Sequence, residues 1–262
     1  MDKNNFSLKN VAAKYAEEGF IAPLDVMTPQ EALELRLDFE DAERTLVNQP
    51  EKLALLKSYP NRLLPSFDAL TRNPKLIAAA SEVLGSDLMV WSAALFIKEK
   101  NSKKIVSWHQ DLTYWGLDDV QETTCWFALT NASEEAGCMK FVPGTHKSQI
   151  VKHIDTFADD NLLTRGQEIA VEVNESEAIA ADLKAGQASM HHGLLFHSSG
   201  PNQTNDRRIG SAIRYIKPSM KQETGDLSLV TLVSGRDRFE NFKIAITSTV
   251  KSISNIDKIE VI

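Results

Sequence analysis

From Ile105 to Ile216 the chain breaks into short runs of β-forming residues separated by turn residues roughly every eight to twelve positions, a rhythm that points to a sandwich or jelly roll. Thr123 to Leu129 is one such run, Asn131 to Gly137 is a polar turn, and Met139 to Val142 is a second run closed by Pro143-Gly144. Glu168 to Val173 is a further short run. The turn from Asp182 to Gln187 precedes the strand that delivers His197, and Arg207 to Ile216 completes the series. In that last run Ile209, Ile213 and Tyr215 are available for one face, and the adjacent Arg207 and Arg208 point to opposite faces.

Upstream the pattern is helical. Ser7 can cap a helix carrying Val11 and Tyr15 on one face and stopped by Gly19, with Phe20-Ile21-Ala22 as a short strand. Thr28-Pro29-Gln30-Glu31 is a complete helix start, followed by Ala32, Leu33, Leu35, Leu37 and Phe39 on an amphipathic surface helix. Two more helical segments are predicted near Glu51 to Ser58 and Pro74 to Leu84, and a strand from Asp87 to Ile97. Lys98 to Lys104 reads as a charged, mostly solvated connection. The expected organisation is one domain: a helical part over about 1–85, a strand-rich core over about 86–218 and an extension over 219–262. In the extension, the apolar run between Gly225 and Gly235 is either a strand or a flap. Residues 247–262 are either an edge strand or a loose end.

Composition narrows the function classes. No stretch approaches the roughly eighteen apolar residues of a membrane helix, and Met1-Asp2-Lys3-Asn4-Asn5 lacks the blocks of a signal peptide, so a cytoplasmic protein is expected. Cys125 and Cys138 read as packing residues, not a disulfide framework. A net charge of −7 argues against nucleic-acid binding, and it weakly disfavours a highly anionic substrate unless a local basic pocket overrides the global sign.

The chemistry is concentrated in Trp108-His109-Gln110-Asp111-Leu112-Thr113-Tyr114. On an extended strand His109 and Asp111 leave one face and can grip one metal ion together. A third ligand must come from elsewhere, with His197 the candidate and His191 and His192 as rivals. Two imidazoles and a carboxylate on one face of an ion leave the opposite face open, the arrangement of non-haem Fe(II) oxygenases. Gln110, Tyr114 and Trp115 flank that face as candidate substrate-pocket residues. Arg62, Lys98 and Lys100 are candidate partners for an anionic part of a substrate or cosubstrate.

Taken together, His109-Gln110-Asp111, Gly137-Cys138-Met139, Pro143-Gly144-Thr145-His146 and His197-Ser198-Ser199-Gly200 with Asn202 and Arg208 resemble the phytanoyl-CoA dioxygenase family of Fe(II)/2-oxoglutarate oxygenases, over roughly residues 5–218. The resemblance implies a mainly β fold with flanking helices around a double-stranded β-helix, the cupin-like jelly roll. It implies His109, Asp111 and His197 as the metal ligands, because the family's distal ligand precedes the Ser-x-Gly run. It implies Arg208 for the far carboxylate of 2-oxoglutarate, with Ser199 and Trp126 at further contacts, and Thr145 is a plausible hydroxyl donor. Iron, 2-oxoglutarate and dioxygen would be the cofactor and cosubstrates. Because Asp111 occupies the position that related halogenases leave small, hydroxylation of an unactivated C–H bond is the expected outcome. The expected partner is a small polar metabolite, with an acyl-CoA ester as the alternative, acted on by a monomer or homodimer without nucleic acid or membrane. A zinc hydrolase using the same triad and a non-catalytic jelly-roll binding module are the competing classes.

Overall fold

The computed structural model describes residues 10–163, 165–224 and 229–245, so the Ser7 cap and the 247–262 tail lie outside the described residues. Helices come first. α1 (Val11–Glu18) stops at Gly19, whose left-handed backbone lets its amide reach the Tyr15 carbonyl at 2.8 Å, and β1 (Phe20–Asp25) follows. α2 (Pro29–Thr45), α3 (Pro50–Ser58), α4 (Pro60–Leu63), α5 (Pro65–Thr71) and α6 (Pro74–Leu84) each open on a proline, where the missing N–H costs no intrahelical bond and φ is already helical. The Glu31 amide donates to Thr28 Oγ1 at 3.2 Å and the Thr28 amide to the Glu31 carboxylate at 2.7 Å, the capping box read from the sequence. α2 buries Ala32, Leu35, Phe39 and Ala42, whereas Leu33 and Leu37 face solvent. The sequence predicts no helix between Ser58 and Pro74. The structure has α4 and α5 there, because Pro60 and Pro65 start a helix as readily as they end one.

Twelve further strands follow: β2 (Leu88–Lys98), β3 (Val106–His109), β4 (Glu122–Ala128), β5 (Met139–Phe141), β6 (His153–Asp155), β7 (Gln167–Ile169), β8 (Ile179–Ala181), β9 (Gln187–His191), β10 (His197–Ser199), β11 (Arg208–Ile216), β12 (Leu229–Ser234) and β13 (Lys243–Ile244). One sheet runs β1-β9-β4-β11-β2-β12-β13, a second runs β3-β10-β5-β8, and β6 pairs with β7. The two larger sheets form the jelly-roll core. The part of the apolar run before Gly235 that lies within the described residues is a strand, β12, added antiparallel to the edge of β2. No helix among the described residues is long and apolar enough to cross a membrane.

Period-2 alternation sorts the central strands into two layers. Ile209, Ile213 and Tyr215 of β11, with Cys125 and Phe127 of β4, pack against Phe39, Phe67 and Leu76 of the helices. The Tyr215 hydroxyl donates to the Thr71 carbonyl at 2.8 Å, tying β11 to α5. The opposite faces, with Trp126 of β4 and Ala212 of β11, look towards the second sheet. Deleting one of the large outer-layer rings, such as the fully buried Phe127, would cost about 3–5 kcal/mol. Lys98 departs from its predicted place in a solvated connection: it is the last residue of β2 and 0% exposed.

Candidate metal centre

β3 ends at His109, Gln110 stays extended (φ −117, ψ 127), and a 3-10 turn over Asp111–Tyr114 begins immediately after. His109 and Asp111 therefore leave the same face. β10 pairs antiparallel with β3 in the register His197↔His109, so the distal histidine is delivered opposite the first. Asp111 Oδ1 lies 3.5 Å from His109 Nε2 and 3.9 Å from His197 Nε2, and one ligand atom from each of the three residues falls within 4.8 Å of the others. All three residues are buried.

The ring tautomers follow from the second nitrogens. His109 Nδ1 is 2.9 Å from the Ser107 carbonyl and His197 Nδ1 is 2.9 Å from the Leu195 carbonyl. A carbonyl only accepts, so each Nδ1 carries the proton and each Nε2 presents a lone pair towards the carboxylate. Three acceptors converge with no proton among them, and a cation is what fits. Burial, with His109 and His191 beside it, holds the His197 imidazole well below its ordinary value and so neutral, as a ligand must be. Burial alone would raise the Asp111 carboxyl, but it is held well below the usual range, the Arg214 guanidinium being among the charges that favour its ionised form.

The other oxygen of this carboxylate has its own neighbours. Asp111 Oδ2 accepts from Thr124 Oγ1 at 3.2 Å and lies 3.5 Å from His191 Nε2. His191 is 1% exposed and neither ring nitrogen has a hydrogen-bond partner. It enters the site because β9 pairs with β4 in the register His191↔Thr124, a relation between distant segments that no local pattern announces. His192, the other rival ligand, turns away towards His146 and Tyr15. Glu122 is also buried behind the centre. Burial and the Asp111 charge raise its carboxyl well above the usual range, against the Gly193 amide and Arg214, which lower it.

A cavity of about 420 Å³, its mouth included, runs from this cluster along the inner face of β11. At its far end Arg208 is 2% exposed, with no hydrogen-bond partner for Nε. Its Cζ stands 5.1 Å from the Trp126 ring centroid. Gly210 makes that possible, since a Cβ at this position would overlap the indole. Opposite Arg208 on β2 is Lys98, whose Nζ donates to Ser199 Oγ at 2.6 Å, to the Ser199 carbonyl at 3.2 Å and to the Gly200 carbonyl. Burial and then the Arg208 guanidinium push the Lys98 ammonium down to about 6, and burial pushes Arg208 down to about 10. A buried guanidinium with no acid to answer it, beside a second buried basic group that donates only to neutral oxygens, fits a carboxylate from outside the protein.

Arg208, Ser199 and Trp126 therefore line the cavity with the triad. Lys98 donates to Ser199 and Gly200 and is not among the residues that line the cavity. Thr145 is not brought in. Its hydroxyl donates to the Val142 carbonyl at 2.8 Å and accepts the Phe196 amide at 2.9 Å, which locks the turn before β10. Gln110 points to the opposite face, as residue parity requires, and clasps the Val151 amide and the Leu194 carbonyl, both at 2.9 Å. Tyr114 packs edge-on against His153 under Arg165, away from the triad. Trp115 stacks on Trp91 and lies beneath Arg214, a cavity-lining cation that the sequence reading misses. Even spacing from Arg208 along one strand would have found it. Arg62 sits on α4 over the Tyr59 ring and donates to the Leu229 carbonyl, and Lys100 is exposed. Neither lines the cavity.

The family model described as phytanoyl-CoA dioxygenase matches residues 15–210. A probable alpha-ketoglutarate-dependent hypophosphite dioxygenase of Stutzerimonas stutzeri is 26% identical over 159 residues, covering 60% of this chain and 54% of that protein, so the match spans about half of that relative's length. An ectoine dioxygenase of Streptomyces coelicolor is 23% identical over 216 residues, covering 71% and 70%. Among solved structures, the apo form of the non-haem monooxygenase ThoJ superposes with a TM-score of 0.81 at 30% identity, covering 95% of this chain and 93% of that one.

Proposed function

Because this chain belongs to the phytanoyl-CoA dioxygenase family, we propose that it is an Fe(II)- and 2-oxoglutarate-dependent dioxygenase that hydroxylates an unactivated C–H bond of a small metabolite and releases succinate and carbon dioxide. The observation that carries the reading is the pairing, in one cavity, of an acceptor-only triad with a buried guanidinium, Arg208, that has no acid of its own. Bound iron and 2-oxoglutarate together supply the reduction of dioxygen coupled to oxidative decarboxylation.

The chain's own residues hold and orient. His109, Asp111 and His197 hold the metal, with Nδ1–H bonds to backbone carbonyls keeping both rings aimed. Arg208 takes the far carboxylate of 2-oxoglutarate, with Lys98 and Ser199 beside it and the Trp126 indole as a wall that excludes water. Asp111 as the third ligand supports hydroxylation over halogenation. A zinc hydrolase has no use for the acid-free Arg208 and Lys98 pair. The cavity suits an amino acid, a phosphonate, a compatible solute or a natural-product intermediate, and an acyl-CoA ester is the second reading of the same site. We place the enzyme in the cytoplasm as a single-domain monomer or homodimer acting without nucleic acid or membrane, in keeping with its net charge of −7 and two buried free cysteines.

The test is succinate release from 2-oxoglutarate by anaerobically Fe(II)-loaded protein exposed to oxygen, beside His109→Ala and Arg208→Ala. The expected outcome is slow uncoupled turnover, lost in both variants. Absence of 2-oxoglutarate binding to the Fe(II) protein would overturn the reading.

A further inference from the structure

We propose that Arg214 anchors an anionic group of the substrate, a compact oxyanion such as a carboxylate or phosphonate, beside the metal and at the opposite end of the cavity from Arg208. The proposal rests on the oxygenase reading above and deepens it. Arg208 and Arg214 are six residues apart on β11, so both side chains enter the cavity, and Ser92 and Thr124 are the register partners of Arg214 on the neighbouring strands. Thr124 is also the residue that donates to Asp111 Oδ2, which places Arg214 at the level of the metal ligands.

The Arg214 guanidinium is aimed but not answered. Its Cζ lies 5.1 Å from the Trp115 ring centroid and 6.0 Å from that of Phe96, and Nη1 donates to Ser92 Oγ at 3.2 Å. Nε is buried without a partner, and among the described residues no carboxylate lies within 4.0 Å of the group. Asp111 and Glu122 feel its charge through space, but neither carboxylate makes an ion pair with it. A cation in a partly dry cavity is costly unless an anion meets it, and a guanidinium placed over an indole offers a planar, forked donor for an oxyanion. The oxyanion recognised there would leave the adjoining carbon of a small substrate next to the metal.

The experiment is anaerobic titration of the Fe(II)- and 2-oxoglutarate-loaded protein with methylphosphonate and with neutral, similarly tetrahedral methanesulfonamide. It follows the charge-transfer absorption of the metal complex and tryptophan fluorescence. Methylphosphonate is expected to perturb both signals and the sulfonamide neither. Arg214→Gln should weaken the phosphonate by at least about tenfold while 2-oxoglutarate affinity stays within roughly twofold. Arg214→Lys should fall between them, and it carries the test if the glutamine variant fails to fold. A wild-type protein that binds 2-oxoglutarate but ignores methylphosphonate overturns the proposal, as does equal response to both probes. So does a loss of 2-oxoglutarate binding in Arg214→Gln as large as the loss of phosphonate. If the wild type does not bind 2-oxoglutarate, the oxygenase reading itself falls.

Discussion

Arg207 and Arg208 are chemically identical neighbours with opposite surroundings. Arg207 reaches Glu43 at 2.8 Å, Glu99 at 2.8 Å and Glu40 at 3.4 Å on the rim between α2 and β2. Arg208 is buried beside Lys98 and makes no ion pair among the described residues. A guanidinium satisfied within the protein serves the protein, whereas one left unsatisfied where desolvation is most expensive is built for something that arrives later. The difference is one of parity: Arg208 opens β11 with its side chain in the cavity, and Arg207, the residue before the strand, leaves the other way.

The largest effect should come from exchanging the two losses. Arg208→Gln removes the paired donor for a carboxylate and should weaken 2-oxoglutarate binding by about 3 kcal/mol, on the order of a hundredfold in Kd by calorimetry. The metal-free protein should lose no thermal stability, because an unpaired buried charge has gone with the side chain. Arg207→Gln should do the reverse, leaving 2-oxoglutarate affinity unchanged and lowering unfolding free energy by about 1 kcal/mol in urea. If both variants impaired 2-oxoglutarate binding equally, the contrast drawn from parity would collapse.

Lys98 sharpens the same contrast through pH. Its folded value near 6 lies below its ordinary value, so between the two the unfolded chain binds a proton that the folded protein does not. Its contribution is fully present above the ordinary lysine range and is lost as pH falls towards 6. Unfolding free energy of the ligand-free protein should therefore rise with pH across that window, and Lys98→Met should flatten the slope. A slope identical in wild type and variant would remove Lys98 from the account. The smallest effect belongs to Thr145, whose hydroxyl bridges two backbone groups near β10. Thr145→Val should cost about 1 kcal/mol of stability and leave 2-oxoglutarate affinity unchanged.

Much of the site was legible because its signals are local. His109 and Asp111 share a face through a two-residue extended step, the Thr28 capping box and Pro29 mark a helix start within four residues, and the parity of Arg207 and Arg208 needs only a strand. By that same parity Gln110 leaves the face opposite His109 and Asp111, which is where its bonds to Leu194 and Val151 hold it. The family resemblance carried His197 and Arg208 further than spacing could.

What the sequence by itself determined is the strand-and-turn core, the helical starts and the residue types able to hold a cation and a carboxylate. Which of those residues meet was decided by tertiary structure. His191 reaches Asp111 only because β9 lies beside β4, and Arg214 gains Trp115 and Ser92 only when β2 and the segment after β3 fold against β11. Lys98 changes from a solvated charge to a buried one because β2 runs one residue further beside β11. Hydrogen-bond register and desolvation act between segments far apart in the chain, so their effects are not written in any local run of residues.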